Sequence, residues 1–295
     1  MPHNSCCECG GSVAYINDNT VSVARQTPAE LSESLTTQYQ RISEYMAANG
    51  LVINNLKTHL LVFSKRSLND SKMDVKIHAG NHIVTPSDTE KLLGIHISQT
   101  LKCQEHIQNN QKSLLKQLNT RINGLALISK RATFQSRLMI AQGLVLSKMS
   151  YLIQVWGGTN ESLIRSLQVS LNKTARIVTR LSWFTPTGVL MRQCNWLSVE
   201  KMVQYYTLVT VFNIVRTGKP KYLYDKLCHD HQYNTRTVVK YGETFSAKSA
   251  LASNSFCYRG ALLYQQLPAA IRDVKSAATF KKKAKDWIKT NTRIK

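Results

Sequence analysis

The stretch GSVAYINDNTVSVA, residues 11–24, has apolar residues at every second position on both sides of Asn17-Asp18-Asn19. Alternation with a period of two is typical of β-strands, and Asn and Asp favour turns, so this stretch predicts a hairpin of two short strands. An amphipathic helix is predicted to follow, beginning at Thr27-Pro28 and ending at Asn49-Gly50. Thr caps a first turn, Pro suits the first helical position, and Gly ends a helix.

Downstream of this helix the pattern changes from strands to helices. Apolar runs predict further strands at 51–53, 60–63, 75–77, 82–84 and 92–97. From residue 107 onward, apolar residues recur every three or four positions, which is typical of amphipathic helices. The helices predicted in this way cover 107–125, 134–156, 163–181, 198–217, 260–267 and 279–288. The sequence therefore predicts an α+β fold, in which short strands and one helix precede an all-helical part.

Charge is the strongest compositional signal. The chain of 295 residues carries 39 Lys and Arg against 17 Asp and Glu, a formal net charge of +22. Such an excess predicts a partner with regular negative charge, which nucleic acid supplies most simply; an anionic membrane surface is the alternative. No apolar run approaches the roughly 20 residues that span a bilayer, and the N-terminus lacks the apolar segment of a secretory signal. We therefore expect an intracellular nucleic-acid-binding protein with no membrane partner.

The seven cysteines predict reduced thiols, because their number is odd and four of them are widely scattered. The other three form the cluster Cys6-Cys7-Glu8-Cys9 near the N-terminus. A zinc site needs a second ligand pair at a defined distance, and the next cysteine, Cys103, lies about 90 residues on. We therefore expect a frayed start here and no zinc ion.

The segment Tyr15-Ile16-Asn17-Asp18 resembles a motif of reverse transcriptases, in which an aromatic residue, one variable residue and two aspartates occupy a tight hairpin. Further segments resemble motifs of the same family, in the same order. They are Asn49 to Asn54 with Lys57-Thr58, Leu92 to Ile97, Tyr151 to Gly157, Asn172 to Arg176, Trp196 to Ser198, Ser255 to Gly260, Leu267-Pro268 and Phe280-Lys281. Their order and spacing make the chain similar to the C-terminal part of non-LTR, jockey-like retrotransposon reverse transcriptases. The similarity is specific from about residue 11 to 156 and looser thereafter.

This resemblance implies a domain organisation and an activity. Residues 11–100 would form a partial polymerase palm of short antiparallel strands and a helix, 101–160 thumb-like helices, and 161–295 a helical C-terminal extension. The family activity is RNA-directed DNA polymerisation, with Mg²⁺ as cofactor and an RNA template and a DNA primer as partners. We expect a remnant of such an enzyme. A non-enzymatic, basic nucleic-acid-binding protein derived from it is one alternative, and an incomplete gene model without a stable product is another.

Two departures from the family motif predict that catalysis is lost. The family holds two Mg²⁺ ions with three aspartates; by resemblance Asp18 remains as a metal ligand, while Asn17 is a degenerate catalytic position. An amide adds no negative charge, and hard cations need carboxylate oxygens. The family's third aspartate lies on a strand upstream of the hairpin, and the ten residues before Gly11 are too few to contain it. We expect no productive Mg²⁺ binding; alternatively, Asn17-Asp18 is only a turn.

Further residues are candidates for contacts with nucleotide or nucleic acid. Lys57 matches the family's lysine near the departing pyrophosphate, a general-acid candidate, or is a solvated lysine at a strand end. Gly94 permits a strand bend for primer contact, or is a simple bulge. Lys173, Arg176 and Arg180 share one predicted helix, and Lys and Arg can follow a phosphate backbone without reading sequence. The proposed thumb adds Lys112, Lys116, Arg121, Lys130, Arg131, Arg137 and Lys148.

Overall fold

The computed structural model describes residues 11–15, 18–63, 75–80, 82–109, 112–229, 240–241 and 250–291. Two compact units divide the chain, Met1–Lys102 and Cys103–Lys295. In the first, short antiparallel strand pairs accompany one long helix, and the second is mostly helical. This confirms the predicted α+β fold class, whereas the assignment to palm and thumb stays a prediction. Asn17 and the cysteine cluster at 6–9 lie outside the described residues.

Two antiparallel strands, β1 (Gly11–Tyr15) and β2 (Asp18–Ser22), form the predicted N-terminal hairpin. Tyr15 pairs with Asp18, and Ala14 pairs with Asn19. Asp18 and Asn19 therefore belong to the second strand, although the sequence predicts them in the turn. Their backbone pairing with β1 overrides the turn preference of these two residues.

Helix α1 (Pro28–Ala48) begins and ends where its capping residues predict. The Thr27 hydroxyl accepts a hydrogen bond from the backbone N–H of Glu30 at 3.3 Å. Gly50, just beyond the helix, has a φ of +70°. The inner face of α1 packs on a small apolar core. That core consists of Leu60, Val62, Val75 and Ile77, with Leu31, Leu35 and Tyr39 of the helix against it.

Two further hairpins lie in the described part of the first unit. The predictions of strands at 51–53 and 60–63 are wrong: a 3-10 helix covers Asn55–Lys57, and Leu60 forms only an isolated bridge with Pro86. Strand β3 (Ile77–Ala79) pairs with β4 (His82–Val84). β4 covers the predicted strand 82–84, whereas β3 begins two residues after the start of the predicted strand 75–77. Strand β5 (Thr89–Leu92) pairs with β6 (Ile95–Ser98), where the sequence predicts one strand over 92–97. That prediction is wrong, because Leu93 and Gly94 take left-handed φ values of 47° and 84° and reverse the chain. Leucine is not a residue that signals this type of turn.

Helices make up most of the second unit. In chain order they are α2 (Leu114–Ser129), α3 (Phe134–Ala141), α4 (Ser147–Ser150), α5 (Ile153–Trp156), α6 (Glu161–Thr179), α7 (Thr187–Cys194), α8 (Val199–Thr217), α9 (Lys221–Leu227), α10 (Ala250–Ser253), α11 (Phe256–Gln266), α12 (Ala269–Arg272) and α13 (Ala277–Thr290). π-Helical turns cover Glu105–Asn109 and Gln142–Leu146. The short strands β7 (Cys228–His229) and β8 (Lys240–Tyr241) pair antiparallel.

The core of this unit lies around α8. Helices α5, α6, α9, α11 and α13 all contact it, and Phe212 of α8 stacks on Phe280 of α13 with ring centroids 4.0 Å apart. Apolar spacing predicts the inner face of α6 correctly. The predicted row, Leu163, Leu167, Leu171, Ala175 and Val178, is buried throughout. A helix contacted from several sides needs apolar residues around much of its circumference, and α8 has them.

The helix predicted over 134–156 is interrupted twice. A π-helical turn occupies Gln142–Leu146, and Leu152 takes a left-handed φ of 49° between α4 and α5. Apolar spacing gives no sign of either break, because the inward positions stay apolar across both of them. These positions, Val145, Met149, Ile153 and Trp156, are all fully buried.

Gly157, which follows α5, has no room for a side chain. A Cβ placed there would lie 2.5 Å from the Ile153 carbonyl oxygen and 2.5 Å from Cγ1 of Val203 on α8. Gly157→Ala is therefore expected to lower the free energy of unfolding by about 1–3 kcal/mol, the usual cost of overpacking. Equilibrium unfolding in urea measures this change.

Gly124, inside α2, offers the matched control. Nothing lies within 4 Å of a Cβ added at this position. Gly124→Ala is expected to stabilise the protein by about 0.4–1 kcal/mol, because alanine loses less conformational entropy on folding. Equal urea midpoints for the two variants would contradict the close packing at Gly157.

Candidate nucleic-acid interface

The hairpin that resembles the polymerase metal site is defined by its backbone pairing. Asp18 begins β2 opposite Tyr15, and its neighbour Asn17 is outside the described residues. One carboxylate and one amide do not fit a centre of two Mg²⁺ ions, because such a centre depends on several carboxylate oxygens. Within the described ranges, no group of three or more His, Cys, Asp or Glu side chains could hold a metal ion. The loss of productive Mg²⁺ binding at this hairpin stays a prediction.

Lys57 and Gly94 both lie in the first unit. Lys57 ends the 3-10 helix Asn55–Lys57, and its side chain is exposed. Asn55 anchors that short helix, since its Oδ1 accepts from the Tyr39 hydroxyl at 2.6 Å and its Nδ2 donates to the Ala79 carbonyl oxygen at 3.3 Å. Gly94 sits in the turn between β5 and β6, not within a strand. The functional roles of Lys57 and Gly94 stay predictions.

Cations far outnumber carboxylates in the middle of the chain. Between His106 and Val199 there are twelve Lys and Arg residues and one acidic residue, Glu161. The cations are Lys112, Lys116, Arg121, Lys130, Arg131, Arg137, Lys148, Arg165, Lys173, Arg176, Arg180 and Arg192. Arg165 donates to Glu161 Oε1 at 2.7 Å, so the single carboxylate is already paired. The segment therefore carries a strong positive potential.

Three cations were predicted on α6: Lys173, Arg176 and Arg180. Their spacings of three and four residues place them along one side of the helix. Lys173 is exposed, and Arg176 is half-buried with its guanidinium over the Trp183 ring, 4.5 Å from the ring centroid. Arg180 follows the helix with a φ of 57°. Its Nη2 donates to the carbonyl oxygens of Ser129 and Lys130, at 2.8 Å each. Arg180 therefore also anchors the fold.

Arg137 does not belong with the exposed thumb cations, contrary to the prediction. Its side chain, on α3, is only 6% exposed. Its Nε donates to the Val178 carbonyl oxygen at 2.8 Å, and its Nη1 donates to the Ala132 carbonyl oxygen at 2.7 Å. Burial lowers the pKa of this guanidinium, and the nearby charge of Arg180 lowers the pKa further. Arg137 therefore caps the C-terminal end of α6 from within the protein.

Two exposed aromatic residues, Trp183 and Phe184, lie beside the cations of α6, and they were not identified from the sequence. Trp183 and Phe184, between α6 and α7, are 70% and 91% exposed. A signal was available, since this pair falls outside the helical spacing of apolar residues and has polar Ser182 and Thr185 on either side. We call the following set the basic-aromatic corner: Lys130, Arg131, Lys173, Arg176, Arg180, Trp183 and Phe184. The hydrogen bonds from Arg180 to the end of α2 bring its two sequence segments together.

A helical unit with an excess of cations and few carboxylates is typical of proteins that bind polyanions. Over 213 residues the chain is 21% identical to a protein named "Probable RNA-directed DNA polymerase from transposon X-element", from Drosophila melanogaster. The match covers 72% of this chain and 22% of that protein, so the chain spans about a fifth of the relative's length. No protein-family model and no solved structure matches the chain. The similarity supports the predicted relationship to reverse transcriptases.

The helices that the structure describes include none that is both long and apolar enough to cross a membrane.

Proposed function

We propose that this chain is a remnant of the reverse transcriptase of a jockey-like, non-LTR retrotransposon, which has lost polymerase activity and keeps a basic surface for nucleic acid. The run of twelve cations against one carboxylate between His106 and Val199 carries this proposal. It occurs in a chain similar to a protein named as an RNA-directed DNA polymerase. The order of motifs over residues 11–156 supports the subtype, with a partial palm at 11–100 and thumb-like helices at 101–160.

The proposed partners are RNA template and DNA primer strands, bound through their phosphates. Lys and Arg neutralise phosphates and release condensed counterions, which favours binding without regard to base sequence. Lys130, Arg131 and Lys173 have exposed side chains and are the best placed to do this. The same surface would serve a non-enzymatic nucleic-acid-binding protein derived from the enzyme.

The N-terminal hairpin is proposed to be an inherited metal site that no longer holds two Mg²⁺ ions. Asp18 supplies one carboxylate, and Asn17 supplies an uncharged amide. Without a bound metal and triphosphate, Lys57 has no pyrophosphate to protonate and remains a solvated lysine, which agrees with its exposure. Binding of nucleic acid and loss of catalysis are therefore separate parts of the proposal, and each has its own test.

Binding is tested by titrating the purified chain with a labelled oligonucleotide across a salt series. If roughly five phosphates are engaged, the slope of log K on log salt is expected to be about −3 to −5. Replacing Lys130, Arg131 and Lys173 together with alanine is expected to flatten that slope by about 2–3 units, at roughly 0.7–0.9 per lost phosphate contact. Affinity should fall equally on unrelated sequences, because phosphate contacts carry no sequence information.

A matched control removes three exposed lysines elsewhere in the second unit, Lys219, Lys221 and Lys226. This variant loses the same charge but leaves the basic-aromatic corner intact, so its slope is expected to stay close to that of the unaltered chain. A salt dependence near zero would contradict the proposal. So would binding to anionic vesicles but not to oligonucleotides.

A further inference from the structure

Trp183 and Phe184 are two large aromatic side chains placed side by side in water. A single exposed apolar side chain is ordinary in a folded protein, whereas adjacent exposed aromatic rings beside clustered charge need an explanation. Phe184 is 91% exposed and Trp183 is 70% exposed. Both follow Arg180, the residue just beyond the end of α6. Their rings are therefore presented at the cationic end of that helix.

The loop that carries the two rings is held in place at both ends. At its start, the Arg180 guanidinium donates to the Ser129 and Lys130 carbonyl oxygens. Within it, the backbone N–H of Phe184 donates to the Ser182 hydroxyl at 3.4 Å, and that of Thr185 donates to the Ser182 carbonyl oxygen at 3.0 Å. At its end, Asn172 Nδ2 donates to the Thr187 hydroxyl at 3.3 Å. A loop fixed in this way loses little entropy when a ligand binds.

Arg176 connects the rings to the surrounding charge. Its guanidinium lies over the Trp183 ring at 4.5 Å, a distance at which a cation is attracted to the aromatic face. Its Nε is buried without a hydrogen-bond partner, and among the described residues it has no carboxylate partner. The cation therefore orients the indole, and no carboxylate among the described residues neutralises its charge. Trp183 remains largely exposed away from this contact.

We propose that Trp183 and Phe184 form a stacking platform for the unpaired bases of single-stranded nucleic acid, with Lys173, Arg176 and Arg180 beside it to attract the phosphates. This inference rests on the proposed function and deepens it, because it names single strands as the preferred form. Proteins that bind single strands without reading sequence combine aromatic side chains with a basic surface in this way. In a duplex the base faces are already stacked on one another, so the two rings gain nothing there.

Two other occupants fit the corner less well. A membrane anchor of the interfacial kind is an amphipathic helix with a wide apolar face, whereas these rings sit on a short loop with polar Ser182 and Thr185 next to them. A protein partner would have to match the local charge of five cations with carboxylates. Nucleic acid supplies flat aromatic faces and regular negative charge in one molecule, which matches both features of the corner.

The test compares Trp183→Ala/Phe184→Ala with the unaltered full chain, on a single-stranded oligonucleotide of about 15 nucleotides and on its duplex. Affinity for the single strand is expected to fall about tenfold to a hundredfold for each base that loses its stacking partner. Affinity for the duplex should change by less than about threefold, and the salt slope should stay the same because the phosphate contacts remain. Trp183→Phe/Phe184→Tyr keeps both rings and should restore binding to the single strand.

Two controls distinguish base stacking on the two rings from phosphate binding by the surrounding cations. Tyr222→Ala removes an aromatic ring that is 65% exposed outside the corner, and it should leave both affinities unchanged. A single strand lacking its bases should bind the unaltered chain as weakly as the intact strand binds the double variant. Equal losses on single strand and duplex, or no loss on either, would overturn the platform while leaving phosphate binding intact. Absence of all nucleic-acid binding at low salt would instead remove the proposed function and the platform with it.

Discussion

Replacing Arg137 with leucine is expected to lower the free energy of unfolding by about 3 kcal/mol, since hydrogen bonds from a charged group are each worth about 1.5–3 kcal/mol. The buried guanidinium donates to Val178 of α6 and to Ala132 in the connection before α3. Leucine fills part of the space but leaves both carbonyl oxygens without this donor. It also removes a cation from the C-terminal end of α6, where a positive charge is stabilising.

Arg137 and Arg180 each donate hydrogen bonds to the end of a helix, which supports the expected loss of stability on replacing Arg137. Arg137 caps the end of α6, which Arg180 follows, while Arg180 donates to the last residues of α2. The Arg137 side chain therefore holds the C-terminal end of α6, and the Arg180 side chain holds the C-terminal end of α2. Because they share these elements, the double variant Arg137→Leu/Arg180→Leu is not expected to show the simple sum of the two losses.

Equilibrium unfolding in urea, with the slope of the transition checked for two-state behaviour, measures the effect. Arg131→Leu is the matched control: the arginine lies nearby and is exposed, so its loss is expected to change stability by less than about 0.5 kcal/mol. Arg137→Lys keeps the charge but not the planar fork, so its stability should be intermediate. If Arg137→Leu unfolded at the same urea concentration as the unaltered chain and weakened oligonucleotide binding instead, Arg137 would be a phosphate contact after all.

No nucleotide incorporation above background is expected when the purified chain receives an RNA template, an annealed DNA primer and Mg²⁺ or Mn²⁺. The donors at the hairpin are Asp18 and the amide of Asn17, and an amide cannot neutralise the charge of a second divalent ion. Metal ions stabilise the transition state of such a transfer by several kcal/mol, and each 1.36 kcal/mol is a factor of ten in rate. Incorporation that disappears in Asp18→Ala would contradict the proposed loss of activity.

A chimera separates the contribution of Asn17 from that of the rest of the palm. When residues 11–295 follow the upstream part of the X-element polymerase, Asn17→Asp is expected to raise the rate of extension by about 10³-fold. Asn19→Asp adds the same charge two positions later, on β2 opposite Ala14, and should leave the rate at background. Equal activity of the two variants would show that net charge, not the second aspartate, limits catalysis.

The ends of α1 and α8 were predictable from the sequence because capping joins residues only three or four positions apart. Thr27 caps α1 through the backbone N–H of Glu30, and Ser198 caps α8 through that of Lys201 at 3.3 Å. Gly218 ends α8 with a φ of 65°. The inward row of α6 was equally predictable, since a period of 3.6 residues is a property of the local chain. The charge excess, and the motif order that indicates reverse transcriptases, also needed nothing beyond the sequence.

The prediction of one strand over 92–97 failed for a local reason of a different kind. Leu92 to Ile97 is apolar apart from Gly94 and His96, so it looks like a strand with a bulge. The antiparallel pairing of β5 with β6 requires two left-handed residues in its middle. Cross-strand hydrogen bonds stabilise the leucine in a conformation that its own preference disfavours.

Residues of the same type are buried at one position and exposed at another, and only the tertiary structure decided which. Arg137 is buried and Arg131 is exposed, because the end of α6, 41 residues further on, covers only Arg137. Trp156 is fully buried in the core, while Trp183 is 70% exposed at the basic-aromatic corner. The sequence determined that the chain is basic and where most of its helices lie, since charge and periodicity are local properties. Which cations face solvent, and which aromatic rings stand beside them, depends on contacts between distant segments, and these exist only once the helices have packed.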